Sequence, residues 1–344
     1  MGSQEPLRGA VLGLGMIGRH HARILQSDPA MRLAGAVDPD GDRFAAVADP
    51  ALVFATVDEL LAAPGGAPDF AVVAVPTEEH LPAVRELAAA GVHVLVEKPL
   101  AATVDEAREI IEIVADAGLL GAVGHVERCN PALLELRRRV GEGQLGEVFL
   151  VATERVGPFP DRVRDVGVVK DLATHDLDLV RWLGGGRVER VAAQTQHRMG
   201  RQHEDLVLVT GRLEGGVAFN SVVDWLTPTK VRRTRILGER GMLVADTLRA
   251  DLTFYENADT PTQGWPAMQA MRGVAEGDMT RYALTRAEPL AVELQGFCAL
   301  IRGEANPQVV TLAEGLETVA VAEAVLASAA TGETVVVAEA GAAS

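Results

Sequence analysis

Lys98 lies in Glu97-Lys98-Pro99, directly after the apolar run Val92–Val96. Lysine is rare in this chain, standing only at 98, 170 and 230, and arginine carries the remaining positive charge. An ammonium at the carboxyl end of a strand can lower the pKa of a substrate hydroxyl and stabilise a developing alkoxide. A surface lysine is the other reading. Asp171 and His175 stand four residues apart, a spacing that puts both on one face of a helix. Imidazole suits general-base chemistry near neutral pH, and a carboxylate beside it can orient a ligand or the ring. Asp178 and Trp182 continue that stripe, while Leu172, Leu179, Val180 and Leu183 form the apolar stripe that should bury the helix. A surface ion pair and a partial metal site compete with this reading. No third ligand stands at a metal-binding spacing, so no metal is expected.

A second group is suited to binding. Gly13-Leu14-Gly15-Met16-Ile17-Gly18 is a G-x-G-x-x-G run between an expected strand and an expected helix, with Asp38 twenty residues past Gly18. In such a loop Gly13 permits the turn, Gly15 admits a pyrophosphate and Gly18 lets helix and strand approach. Amides around Met16 and Ile17, at the helix start, then meet the phosphate charge. Asp38 can accept hydrogen bonds from the ribose hydroxyls of NAD and repel the 2′-phosphate of NADP; it also sits in a good turn sequence. Arg43 can stack on adenine or stay a solvated surface residue. Pro76, Thr77 and His80 follow the apolar run Phe70–Val75, and ligands of parallel sheets sit beyond the carboxyl ends of strands. They are therefore expected cofactor neighbours, although His80 can equally be a helix-start residue. Glu97 and Lys98 end the next strand and face the same crevice.

A third group concerns the substrate. Arg128 and Asn130, in Gly124-His125-Val126-Glu127-Arg128-Cys129-Asn130-Pro131, can hydrogen-bond substrate or only cap the next helix. Arg155, Arg162 and Arg164 flank the Asp171–His175 helix. They can form a cationic patch for a diphosphate, or pair with Glu154, Asp161 and Asp165.

The elements that must position these groups follow from periodicity. Ala10–Leu12, Leu33–Val37, Phe70–Val75, Val92–Val96 and Leu119–Val123 read as strands. Gly18–Gln26, Leu81–Ala90 and Thr103–Ala117 read as helices, the last with Thr103 and Glu106 as a capping box. This alternation predicts a doubly wound parallel sheet. After Gly124 the pattern changes. Asn130-Pro131 opens a helix, Val169–Leu183 is a single helix, and strands follow at Val148–Arg155, Val188–Gln196, Leu206–Leu213, Val217–Trp225, Arg232–Leu237 and Leu252–Tyr255. Residues 258–288 read as irregular, and helices at Leu290–Arg302 and Thr311–Ala330 close the chain. The expected fold is α/β: a Rossmann domain over residues 1–125, then an α+β domain with a mainly antiparallel open sheet over 126–344. A substrate cleft is expected between them.

Composition sets bounds. The chain has 344 residues, 48% of them apolar, and a net charge of −16, which argues against nucleic-acid binding. Cys129 and Cys298 lie far apart, with no disulfide framework. The polar start and a following apolar run of only strand length predict no signal peptide and no membrane span. A cytoplasmic protein is expected. Both alternating sets of Val217–Trp225 carry apolar residues, which predicts a homodimer or homotetramer.

As a set and in this order, the glycine loop, Val75-Pro76-Thr77, Glu97-Lys98-Pro99 and the Asp-x-x-x-His helix resemble the glucose-fructose oxidoreductase / inositol dehydrogenase / MocA (Gfo/Idh/MocA) family over nearly the whole chain. The resemblance implies an NAD-dependent dehydrogenase with Lys98, Asp171 and His175 as catalytic groups. A narrower resemblance, to UDP-N-acetylglucosamine 3-dehydrogenase-like members, rests on segments 124–131, 167–176 and 252–257. Cys129 stands where it leads one to expect phenylalanine. It implies oxidation of a UDP-N-acetylhexosamine at C3, with inositol or a free sugar as the alternative. A sensor that binds NAD without turnover would need only the glycine loop, and the presence of Lys98, Asp171 and His175 argues against it.

Overall fold

A computed structural model describes residues 5–160, 166–258, 275–306 and 308–338. Arg162 and Arg164 lie outside the described residues. The chain forms two compact units. The first takes the described residues up to Val126 together with Glu288–Ala320, and the second takes Glu127–Ala287 with Val321–Ala338.

The first unit is built on β1 (Leu7–Leu12), β2 (Met31–Val37), β3 (Val53–Phe54), β4 (Phe70–Val73), β5 (His93–Glu97) and β6 (Gly121–Gly124). They pair in parallel in the order β6-β5-β4-β1-β2-β3, and a short antiparallel strand, Val310–Thr311, lies beside β6. Every residue of β4 is buried, as in a strand covered on both faces. The connecting helices are α1 (Gly18–Ser27), α2 (Val57–Ala62), α3 (His80–Ala89) and α4 (Val104–Asp116). The expected capping box of α4 is present, Thr103 and Glu106 each satisfying the other's backbone N–H. The chain runs outward from β1 to β3 and then crosses to β4 on the other side of β1. The strand order therefore reverses between β1 and β4, the position where open α/β sheets bind ligands.

The second unit carries β7 (Val148–Pro158), β8 (Val188–Gln196), β9 (Leu206–Leu213), β10 (Ala218–Asp224), β11 (Leu226–Gly238), β12 (Gly241–Asp246), β13 (Asp251–Ala258) and β14 (Ala275–Tyr282). With Val335–Val336 at one edge they make a sheet in which, among the described residues, only the β7–β10 pair is parallel. Helices α5 (Pro131–Gly141) and α6 (Thr174–Gly184) cover one face. Leu133, Leu136, Leu177, Val180 and Leu183 share a core there with Val151, Val209, Phe219, Val223 and Ile236. On strands whose alternate residues enter that core, Leu208, Leu237 and Tyr255 point away and stay about 40% exposed.

Two helices follow, α7 (Pro289–Ile301) and α8 (Leu312–Thr331). The expectation that everything after residue 125 belongs to a second domain is corrected here. Leu290, Leu294, Phe297 and Cys298 of α7 complete a core with Val11, Ala22, Leu25 and Phe70. Phe297 meets Phe70 edge to face, ring centroids 5.9 Å apart. Without α7 that apolar surface of the parallel sheet would face water.

Candidate active site

The glycine loop follows β1 at the point of strand reversal. Gly13 has φ +88°, open to glycine, and a Cβ there would fall 2.6 Å from the Ala74 carbonyl oxygen that follows β4. A Cβ on Gly18 would fall 1.8 Å from the Gly13 carbonyl oxygen, so helix and turn need a glycine to pack. Around Gly15 a Cβ would meet nothing within 4 Å. Gly15, Met16 and Ile17 are exposed, leaving the start of α1 open to an anion. The three glycines thus differ in the way a pyrophosphate-binding loop requires. Asp38, at the end of β2, accepts the Leu14 N–H at 2.8 Å and the Asp40 N–H at 3.0 Å. Its carboxylate is fixed beside the loop and retains lone pairs for a ribose. Arg43 is exposed and pairs with Asp40 at 2.6 Å.

Pro76 and Thr77 follow β4 and are exposed and half-buried. His80 does not reach this surface. It is 1% exposed, its ring nitrogens lying 3.2 Å from the Leu100 carbonyl oxygen and 3.1 Å from that of Val75. Burial lowers its pKa, partly offset by those two carbonyls and by Glu97. The expected cofactor contact at His80 is therefore corrected: it ties the turn after β4 to the segment after β5.

Glu97 is corrected in the same way. The carboxyl is buried, its Oε1 accepting a hydrogen bond from His21 Nε2 at 2.8 Å and its Oε2 one from the Lys98 N–H at 3.2 Å. Burial pushes the carboxyl up, but the His21 hydrogen bond, its charge and the Lys98 ammonium outweigh this and hold it below its ordinary value. The side chain that remains half-buried at the end of β5 is Lys98.

In the second unit Asp171 does not begin an α-helix. Val169–Ala173 forms a π-helical turn, and α6 starts at Thr174. Such turns recur at functional sites because the wider winding re-aims side chains. Asp171 and His175 are both half-buried, whereas Ala173, Thr174, Asp176 and Leu177 around them are buried. Asp178, expected on the same polar stripe, is covered: Arg128 Nε and Nη2 bind its carboxylate at 2.8 and 2.5 Å, both side chains being 1% exposed.

Arg128 is thus an interior ion pair and not a substrate contact, a correction of one expected site residue. Asn130 takes its other reading: its Oδ1 caps α5 by accepting the Ala132 N–H, and its amide donates to the Thr247 carbonyl. Arg155 is corrected too. It is 5% exposed and bound to Asp176 at 2.5 Å and Glu127 at 2.8 Å, not to Glu154. Burial alone would lower this guanidinium, but the two carboxylates raise it above its ordinary value. Burial likewise raises Glu127, yet Arg155 with Arg232 and Lys230 holds it low. Burial and Arg155 together lower Arg232 to about 10.

Comparison with known proteins decides the family. Residues 7–125 match the oxidoreductase family with an NAD-binding Rossmann fold, and residues 133–244 match the GFO/IDH/MocA C-terminal domain. The chain belongs to the GFO/IDH/MocA family. It is an NAD-dependent oxidoreductase. It is 30% identical to UDP-N-acetylglucosamine 3-dehydrogenase of Acidithiobacillus ferrooxidans, over 85% of this chain and 87% of that protein. A solved structure of that enzyme matches with a TM-score of 0.81 at 28% identity, covering 94% of this chain and 98% of the other. Inositol 2-dehydrogenase of Rhizobium meliloti is 25% identical over 94% and 97% of the two chains.

Within this GFO/IDH/MocA chain, reasoning from sequence missed two buried polar residues. His21 follows the glycine loop on α1 among Ala22, Ile24 and Leu25, and Glu293 lies on α7 between Leu290 and Leu294. Their signal was a titratable residue on an apolar face. Lys230 and Arg232, whose charges act on Glu127, were missed as well. Among the described residues no helix is long and apolar enough to cross a membrane.

Proposed function

We propose that this protein oxidises the C3 hydroxyl of a UDP-linked N-acetylhexosamine to a ketone, with NAD as the oxidant, as a cytoplasmic homo-oligomer. The observation that carries the redox half is the glycine loop, in which Gly13 and Gly18 are sterically required and Gly15 faces open space. The other half is supported by the Acidithiobacillus relative, a UDP-N-acetylglucosamine 3-dehydrogenase by name.

Gly13, Gly15, Met16, Ile17 and Gly18 would hold the pyrophosphate, Asp38 the adenosine ribose, and Pro76 and Thr77 the rim beyond β4. Bound NAD supplies the hydride acceptor. His175 removes the hydroxyl proton, Lys98 stabilises the charge that develops on the oxygen, and Asp171 orients the substrate. Two electrons leave with the hydride, so one alcohol and one NAD give one ketone, one NADH and one proton. With Arg155 engaged by Glu127 and Asp176, the diphosphate contacts pass to Lys230, which is exposed, and to Arg232.

The enclosure of Arg155 also favours a second reading, oxidation of an inositol or a free sugar, which needs no diphosphate site. Calorimetry with UDP alone separates the two. Micromolar binding that weakens in Lys230→Ala is expected of a nucleotide pocket. No UDP binding, together with turnover of inositol, would transfer the assignment to the second reading.

A further inference from the structure

His21, Glu97 and Glu293 bring one ligand atom each to within 4.8 Å of one another inside the first unit, and all three side chains are buried. They come from α1, the end of β5 and α7, elements far apart in the chain. Two of their polar atoms, His21 Nδ1 and Glu293 Oε2, are buried without a hydrogen-bond partner among the described residues. Two carboxylates this close and this deep cannot both stay ionised without a compensating charge. Glu97 has compensation, from His21 and from Lys98. Glu293 lies beside both His21 and Glu97, and burial with the neighbouring Glu97 charge raises it well above its ordinary value. His80, from α3, also feels the Glu97 charge.

We propose that His21, Glu97 and Glu293 form a buried, charge-balanced triad that positions Lys98. The triad holds one ionised carboxyl, Glu97, between an imidazole donor and a carboxyl kept as the neutral acid. Glu97 then has one oxygen for His21 and the other for the Lys98 N–H, which fixes the backbone from which the ammonium projects. His21 and Glu293 touch neither cofactor nor substrate in this account; they are positioning residues acting through Glu97. A divalent cation on the same three donors is the competing occupant. The direct 2.8 Å contact between His21 and Glu97 and the burial of all three groups favour protons instead.

The inference rests on the reading of Lys98 as a catalytic group, so the test separates the two. In full-length protein labelled with ¹³C at the glutamate carboxyls, Glu293→Gln assigns the Glu293 resonance by removing it. That resonance is expected to keep the neutral-acid shift at pH 7 while the Glu97 resonance shows the ionised form. His21→Ala should lower kcat about tenfold to a hundredfold with the NAD dissociation constant unchanged, since a misplaced catalytic group costs that much. His21→Gln, which can still donate to Glu97, should recover most of the loss. An ionised Glu293 at pH 7, an unchanged kcat in His21→Ala, or one Zn²⁺ bound per chain and lost in Glu293→Gln would each overturn the triad. The carboxyl shifts need no substrate, so absent turnover with the expected shifts would fault the role of Lys98 and leave the triad standing.

Discussion

Lys98 and His175 have separate tasks on one hydroxyl in the proposed reaction, so each should be needed for turnover and neither for cofactor capture. Lys98→Met and His175→Ala are expected to lower kcat by about 100-fold or more, while NAD binding measured by calorimetry changes little. A near-normal kcat at neutral pH in either variant would remove that residue from the mechanism. Asp38 makes a sharper prediction about cofactor choice. Its carboxylate is fixed beside the loop by two N–H groups, and a 2′-phosphate there would meet like charge. NAD should bind more tightly than NADP, and Asp38→Ser should narrow the difference; equal binding by the native protein would contradict it. Glu293 yields a pH dependence. Its folded carboxyl holds a proton above the ordinary value of 4.5, which the unfolded chain does not. Stability is therefore full below about pH 4.5 and falls as pH rises towards the folded value, by at most about 1.4 kcal/mol per unit. In Glu293→Gln this loss is absent, so thermal melts of the two proteins should diverge as pH rises. Parallel curves would show an ordinary carboxyl. Asp38 and Lys98 were legible in the sequence because each stands at a fixed offset within a motif. His21 and Glu293 were not, because their meaning arises only when α7 closes over α1 and β5.

At the scale of elements, the glycine loop separates binding from folding. A methyl on Gly18 would collide with the Gly13 carbonyl, whereas one on Gly15 meets no protein atom. Gly18→Ala should cost roughly 1–3 kcal/mol in a denaturant titration, as overpacking does. Gly15→Ala should leave the melt nearly unchanged and weaken NAD. Equal effects of the two variants on stability and on NAD affinity would contradict the division. Elements with local punctuation were read well: α4 has its capping box, and β8 and β9 have the limits their alternation suggests. The π-helical turn at Val169–Ala173 left no trace, since Val-Lys-Asp-Leu-Ala satisfies helical spacing with either winding. β12 was missed although Gly241–Asp246 alternates buried and half-buried residues, because six residues of mixed type carry little periodic signal. The arginines misled for a different reason. Sequence cannot tell whether Arg128 and Arg155 find Asp178, Asp176 and Glu127 inside or a ligand outside, and both found carboxylates.

For the whole molecule, the second sheet presents Leu208, Leu237 and Tyr255 on the face opposite its helices, beside Val222 of β10, which is half-buried. Phe219, Val223 and Trp225 of the same segment turn into the core instead. A residual apolar face of this kind fits a contact between copies of the chain. Light scattering at micromolar concentration should report a dimer or tetramer, and a monomer would contradict that reading. The return of α7 to the first unit was beyond a reading by periodicity, since its apolar residues mark a buried helix without saying which sheet it covers. The central claim, NAD-dependent oxidation of a UDP-linked N-acetylhexosamine, is tested most directly by following NADH absorbance with purified protein and NAD. UDP-N-acetylhexosamines, other nucleotide sugars, free sugars and inositols would be supplied in turn. NADH formation with a UDP-N-acetylhexosamine, well above that with the corresponding free sugar, is the expected result; NADH formation with an inositol or free sugar and none with any nucleotide sugar would contradict the claim.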